Sequence, residues 1–517
     1  MAFDTLTALG VAFLGALVFW TRTRKPFPLP PGPKPWPIVG NVTDVPQAKQ
    51  LWLRATEFAE QYGDIVYLHI LGQGIVFLNT AETANELMEK RGAIYSDRVP
   101  LVMSGELCGA GDMVAFTRYG DVFRRQRRLM SRGLAQNKIK TYLPLITTST
   151  RSFLQSLLDS PSDYLGSIRQ YAGGLNLLVV YGLHVKDKDD PYLVKVENAT
   201  KLLSVDFADG GGLWAVDFFP WLKHLPAWFP GAGFKTKAAA WKKMIVESVD
   251  LPFDAVKAML QSEKYTPSFC SSMLEEAIAE GKDLEDEEYA LRWAANSMYA
   301  ASMDTTITVM QHFLLAMMQN PTILHRAQAE LDFVLGEGPA RMPTFEDRDK
   351  LPYIEAIWEE SLRWACPVPM GLPHRLMEDD IYRGMLIPKG TIILGNIWAM
   401  LRDPVLYPDP DRFNPDRFLE NVDPELARRR DPRSVVFGYG RRRCPGSHLV
   451  ESSIWLLMAT MLSVLSIRAP LGPDGKPVEP KVVFDNLVFR CMNPIDVVIE
   501  PRSEQAKRFI AAANFET

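Results

Sequence analysis

Cysteine is scarce in this sequence. The 517 residues hold five, Cys108, Cys270, Cys366, Cys444 and Cys491, an odd number set far apart. That excludes a disulfide framework and points to a reducing compartment. No CxxC pair and no HxxxH occurs, so a structural zinc site has no support. Positive charge is not in excess: 57 Lys and Arg stand against 62 Asp and Glu, a net charge of −5. Wholesale nucleic-acid binding, which needs a basic footprint, is thereby excluded. No flavin or nicotinamide fingerprint is present, because Gly438-Tyr439-Gly440 lacks both a third glycine and a preceding βαβ context. Internal repeats and low-complexity blocks are absent beyond the N-terminal linker. Apolar residues are plentiful at 47%, with 23% charged, as in a globular protein with a large core.

Leu6 to Trp20 reads LTALGVAFLGALVFW, without a charge, and Arg22, Arg24 and Lys25 follow. Ala2–Trp20 approaches the ~20 residues that cross a bilayer. A cleaved signal peptide would carry its positive charge before the apolar run and small residues after it. The order here is the reverse, so residues 1–21 are expected to be a transmembrane anchor, with the remaining chain cytosolic. The sequons at Asn41 and Asn198 should then carry no glycan. Residues 22–41 form a basic, proline-rich hinge. Its seven prolines from Pro26 to Pro37 favour stiff extended chain, and Trp36, Ile38 and Val39 are expected to pack its end onto the body.

The body, 42–517, reads as one mainly α domain with small β-sheets. DIVYLHIL and GIVFLN form a hairpin around Gly72-Gln73-Gly74. Further strands are expected within 372–394 and near 482–499, and a helix over 447–466. One helix, Glu287–Asn320, spans roughly 50 Å. It is apolar on most faces, yet Ser302, Asp304, Thr305 and Thr306 sit at its centre. Thr305 can bond back to the Ala301 carbonyl and bend the helix. The residues alone leave open a polar notch or a self-satisfied polar cluster.

Two further groups carry chemistry. Glu360 and Arg363 share a helix face. A pair of this kind is usually solvated, but Arg417 in FNPDRF would turn it into a charge-assisted network. FGYGRRRCPG, Phe437–Gly446, places Cys444 behind three arginines. That setting is expected to lower the thiol pKa and make a nucleophile or a metal ligand.

These motifs resemble the cytochrome P-450 family. Phe437, Gly440, Arg442, Cys444 and Gly446 match every fixed position of its FxxGxRxCxG ligand loop, and the other motifs follow in the family's order over nearly the whole chain. The anchor and hinge are similar to the microsomal class, and the overall pattern to fungal members of secondary metabolism. The resemblance implies haem b (iron protoporphyrin IX) between the long helix and the cysteine loop, with Cys444 as the axial iron ligand. It implies Arg127, Arg375 and Arg442 at the haem propionates, with Phe437 and Gly446 also shaping the haem site. Thr305 and Asp304 would handle dioxygen and protons, while Glu360, Arg363 and Arg417 would be structural. Thiolate ligation favours O–O cleavage, so the implied activity is monooxygenation of a lipophilic terpenoid, polyketide or indole. A reductase-independent isomerase or dehydratase would have little use for the Asp304-Thr305 pair, and a non-catalytic membrane haem protein would have no use for the notch.

Electrons would come from NADPH through a diflavin cytochrome P-450 reductase at the endoplasmic reticulum, with cytochrome b5 as a further donor. Arg124, Arg125, Arg128, Arg441 and Arg443 would form its basic docking patch. Residues 97–117 and 205–245 would wall the pocket, with Ala301, Val368 and Met370 facing it. The aromatics of 205–234 fit a membrane-dipping entrance and ordinary core equally. Two departures stand out: Phe123 replaces the family's tryptophan, losing an N–H donor, and Ser302 replaces a glycine. Weaker haem retention with activity preserved is the expected result.

Overall fold

In a computed structural model, residues 27–512 are described except for 46–49, 203, 205–213, 263–264, 337–340 and 485–487. The expected anchor and the first residues of the hinge lie outside these. The fold is built on one helix and the walls around it. Chain order gives α1 (Leu51–Tyr62), α2 (Asp121–Gly133), α3 (Gln136–Asp159), α4 (Tyr164–Tyr181), α5 (Pro191–Lys201), α6 (Gly233–Gln261) and α7 (Phe269–Ala279). Then follow α8 (Leu284–Gln319), α9 (Pro321–Leu335), α10 (Pro352–Ala365) and α11 (Ser447–Val464).

Helix α8 starts three residues earlier than the sequence pattern predicts. Asp283 caps it by accepting from the Glu285 N–H, and Glu285, Asp286 and Glu287 fill the first turn, where helix amides favour negative charge. Its flanks pack on α2, α4, α7 and α10. On α4, a Cβ at Gly173 would come within 2.2 Å of Leu193 Cδ1, so glycine lets α4 and α5 approach. Helix α11 is the one described helix apolar and long enough to cross a membrane, but it is 72% buried and is a core helix. It stops at Val464 because Leu465 turns extended and opens a strand.

Strands β1 (Ile65–Ile70) and β2 (Gln73–Leu78) join through Leu71-Gly72, both at positive φ (45° and 91°), the geometry that suits a two-residue hairpin. Then come β3 (Asp97–Arg98), β4 (His374–Arg375), β5 (Asp380–Tyr382), β6 (Met385–Ile387) and β7 (Ile392–Gly395). The main sheet has the order β1-β2-β7-β4-β3. The β3–β4 pairing sets Asp97 opposite Arg375 and Arg98 opposite His374. The C-terminal strand region is shorter than expected: β8 (Leu465–Arg468) pairs only with β9 (Val498–Pro501).

The hinge docks by its backbone rather than by its apolar side chains. Tyr67 N–H donates to Pro31 O (2.8 Å) and Asn41 N–H to His69 O (2.6 Å). Trp36, Ile38 and Val39 point outward, with Ile38 92% exposed. Asn41 is buried, and its side chain bonds Pro33 O, Asp44 and the His69 N–H.

Candidate active site

The cysteine loop is closed by Cys444 N–H donating to Phe437 O at 2.8 Å, with Phe437 itself in the core. Gly438 and Gly440 adopt φ of +73° and +55°, and a Cβ on Gly440 would come within 2.4 Å of Met88 O. Both positions therefore need glycine. At Gly446 the backbone itself makes no such demand: its φ is −86°, and among protein atoms a Cβ there would meet Cys444 Sγ at 3.9 Å. Burial pushes the Cys444 thiol up; the amides of Gly446 and Ser447 and the charges of Arg127 and Arg443 pull it down and are outweighed. The lowered thiol pKa expected from neighbouring arginines is thus not what the chain alone produces. A coordinated metal ion removes such a proton outright.

The arginines are engaged elsewhere. Arg442 donates to the carbonyls of Ser96 (2.8 Å), Val114 (3.0 Å) and Thr117 (2.7 Å), and lies 3.6 Å over the Phe123 ring. Phe123 thus offers an aromatic face in place of the missing donor. Arg127 donates to Arg443 O at 2.7 Å. Arg375 reaches Asp97 only at 3.8 Å, because Arg118 and the Tyr119 N–H already hold that carboxylate. Arg98, which sequence reasoning missed for want of any motif, bonds Leu372 O and Pro373 O. Burial pushes Arg98 down to about 10. Burial, then Arg98 and Arg127, push Arg442 down to about 8. A guanidinium keeps its proton in a protein, so burial and like charge, offset only in part by Asp97, leave this cluster receptive to an anion.

At mid-α8, Ala301 is exposed although Met298, Tyr299 and Met303 near it are buried. The helix therefore faces an open cleft there. Thr305 Oγ1 donates to Ala301 O at 2.9 Å, and the helix remains unbroken. Ser302 Oγ is tied back to Tyr299 O at 2.7 Å and adds no free hydroxyl. Asp304 Oδ2 is buried without a hydrogen-bond partner. Burial raises this carboxyl against the pull of Ser204 and Arg169. Val368 is half-buried. Met370 is buried in an apolar cluster with Phe77, Ile392 and Leu394; Leu372, 38% exposed, is the more open side chain on that strand approach.

Glu360 and Arg363 are fully buried and bidentate at 2.7 Å. Arg417 joins at 3.3 Å and the Asn414 N–H at 2.8 Å, so two arginines converge on one carboxylate. The basic patch is smaller than expected: Arg124 pairs with Asp121, and Arg125 with Asp286 and Glu287.

The Cytochrome P450 family model matches residues 30–488 of the chain. This chain belongs to the cytochrome P450 family. It is 38% identical over 510 residues to Cytochrome P450 monooxygenase 176 of Postia placenta, covering 98% of this chain and 97% of that one. Cytochrome P450 monooxygenase claT of Ampulloclitocybe clavipes is 38% identical, covering 93% of each. Tryptamine 4-monooxygenase of Psilocybe cyanescens is 36% identical over 93% of this chain and 95% of its own. The protein is thus an oxygen-incorporating, haem-thiolate oxidoreductase with fungal relatives, on a mainly helical P450 fold. The residues present fit haem: guanidiniums short of counter-charge suit its two propionates, and the thiol stands two residues before the N-cap of α11.

Proposed function

We propose that Cys444 holds haem iron as thiolate and that the protein hydroxylates a lipophilic small molecule with electrons from an NADPH-fed diflavin reductase. The cluster of Arg98, Arg127 and Arg442, cations without a carboxylate of their own and joined to the thiol through Arg127, carries this reading. Bound haem supplies dioxygen activation and the transfer of one oxygen atom. The chain supplies placement. Arg442 and Arg127, with Arg375 at the edge, neutralise the propionates. Thr305 keeps its hydroxyl proton on Ala301 O and leaves its oxygen as an acceptor toward the cleft. Asp304, its carboxyl raised by burial, stands next to it in the helix to relay protons. Each turnover consumes two protons and two electrons, sending one oxygen atom to product and one to water. Glu360, Arg363 and Arg417 fix the segment before the cysteine loop.

The substrate class is a fungal secondary metabolite; the relative named tryptamine 4-monooxygenase keeps indoles within it. Arg128, Arg441 and Arg443, exposed on the cysteine side, form the reductase patch, also open to cytochrome b5, and high salt should slow reduction. The N-terminal run anchors the chain in the endoplasmic reticulum membrane. Exposed Trp221 and Trp228, with outward Trp36 and Ile38, would rest at that surface. Asn198, exposed on α5, is the informative sequon, since Asn41 is closed by burial.

Carbon monoxide added to the reduced protein tests the reading. A strongly red-shifted Soret band, lost in Cys444→Ala, supports thiolate ligation. A band at the position of histidine or protonated-thiol ligation refutes it. NADPH consumption with reductase and a panel of indoles, terpenoids and polyketides then separates the substrate classes.

A further inference from the structure

The cysteine loop, Phe437–Gly446, runs between a one-turn helix, Arg433–Val436, and the start of α11 at Ser447. One guanidinium reaches both of its flanks. Arg433 Nε donates to Asp431 Oδ1 at 2.7 Å, and Nη2 donates to Glu359 Oε1 at 2.5 Å. Arg433 Nη1 stands 3.4 Å from Glu355 Oε1 and 3.5 Å from Glu451 Oε1. Glu355 and Glu359 belong to α10, and Glu451 belongs to α11. Arg433 therefore ties the chain before the loop to the chain after it, and both to α10. All five side chains are half-buried. Around them, Arg348 donates to both oxygens of Glu355, at 2.8 and 2.9 Å, and His448 Nδ1 lies 3.6 Å from Glu451. The backbone adds a second hold. Arg433 O accepts from Arg443 Nη2 at 3.0 Å, and Arg443 O, next to Cys444, accepts from Arg127 Nη2 at 2.7 Å.

Adjacent carboxylates of α10 thus serve different arginines. Glu360 takes Arg363, Arg417 and the Asn414 N–H, well upstream of the loop. Glu359 takes Arg433, one helical turn before Phe437. The loop between is rich in glycine, which leaves the backbone free and offers no side chain to pack. Its shape depends on what fixes its two ends. Charge-assisted bonds from a planar, forked guanidinium fix direction as well as distance. We propose that Arg433 is a positioning residue for the thiol: by strapping both flanks of the cysteine loop to α10, it holds Cys444 in the place where iron keeps it as thiolate. This rests on the reading of Cys444 as the iron ligand. Arg433 touches no reacting atom, and the Glu360 group does not replace it, because that group grips neither flank of the loop.

The carbon monoxide spectrum of the reduced, haem-loaded full chain reads the ligand state as the ratio of the strongly red-shifted band to the protonated-thiol band. Arg433→Gln should lower that ratio roughly tenfold, the size of one charge-assisted hydrogen bond. Arg433→Lys, which keeps the charge and loses the fork, should recover part of it. Glu451→Gln, which leaves Arg433 three carboxylates, should fold normally and lower the ratio roughly two- to three-fold, the size of a longer, partly exposed contact. Arg433→Gln with Glu451→Gln should be no worse than Arg433→Gln alone, because their shared contact is already gone. Arg428→Gln, whose guanidinium pairs with Glu425 at the surface, should match wild type. An Arg433→Gln ratio equal to wild type, or losses in the double variant that simply add, would overturn the strap. If wild type itself gives no red-shifted band, the thiolate reading has failed, not the strap. Amide exchange across Phe437–Gly446 at one pH then decides it without the iron. Faster exchange in Arg433→Gln and Glu451→Gln than in wild type and Arg428→Gln supports the strap, and equal rates overturn it.

Discussion

Two sets of arginines in this protein, the first fully buried and the second buried at Arg98 and half-buried at Arg127 and Arg442, differ in what balances them. Arg363 and Arg417 converge on Glu360, and the three form a self-contained group. Arg98, Arg127 and Arg442 have carbonyl oxygens and an aromatic face as close partners, and their one nearby carboxylate, Asp97, is taken by Arg118. The first set is complete within the chain and locks helix to loop. The second is complete only with an anionic partner. A third pair guards against applying this too simply. Arg490 is buried and donates to Trp364 O and Ala365 O at the C-terminus of α10, while half-buried Arg402 donates to Trp364 O and pairs with Asp411. There the helix end itself supplies negative charge, so missing carboxylates alone do not mark a ligand site.

The largest expected effect breaks the first set. Glu360→Gln leaves two buried cations with no anion and should cost about 3–5 kcal/mol, the range for breaking a buried pair. Urea unfolding of the variant would show it, and a midpoint near wild type would mean the group is not the lock it resembles. Arg442→Gln inverts the contrast. It removes a cation that Arg98 and Arg127 repel, so unfolding should shift less than in Glu360→Gln. Haem retention on gel filtration should instead fall roughly tenfold or more, as for a lost charge-assisted bond. Equal losses in both assays would erase the distinction between the sets.

His374 extends the second set to pH. Burial first, then Arg98 and Arg442, hold its imidazole well below its usual range, while its Nδ1 partners Tyr95 O. The unfolded chain protonates near pH 6.5 and the folded chain does not. Stability is therefore full above that pH and is lost as pH falls below it, by up to about 1.4 kcal/mol per unit. Urea midpoints at pH 7.5 and 5.5 should differ less in His374→Gln than in wild type. The smallest effect is Phe123→Trp, which keeps the ring under Arg442 and restores an N–H. Haem retention should rise a few-fold at most, by about the energy of one hydrogen bond, and no change would show that the stacked ring already suffices.

Several features were legible because they depend on neighbours in sequence. Gly438 and Gly440 announce positive φ, Glu360 and Arg363 share a face by spacing, and Thr305 reaches Ala301 within one turn. The family follows from that spacing. Other features were not legible. Met370 has the composition of a pocket residue and the surroundings of a core one. Trp36, Ile38 and Val39 face outward because backbone pairing with β1 fixes the hinge before their side chains can choose. Arg98 carries no motif at all.

By itself, then, the sequence determined the local chemistry: a thiol in a glycine turn, an acid–alcohol pair in a long helix, and a chain of one family. Tertiary structure decided the balance of charge. Whether arginines lower a thiol's pKa depends on burial against distance, and here burial is the larger effect at Cys444. Whether an arginine is satisfied depends on partners hundreds of residues away, as with Arg442 and Ser96. Coulomb energy follows distance and dielectric, and both are set only when the chain is packed.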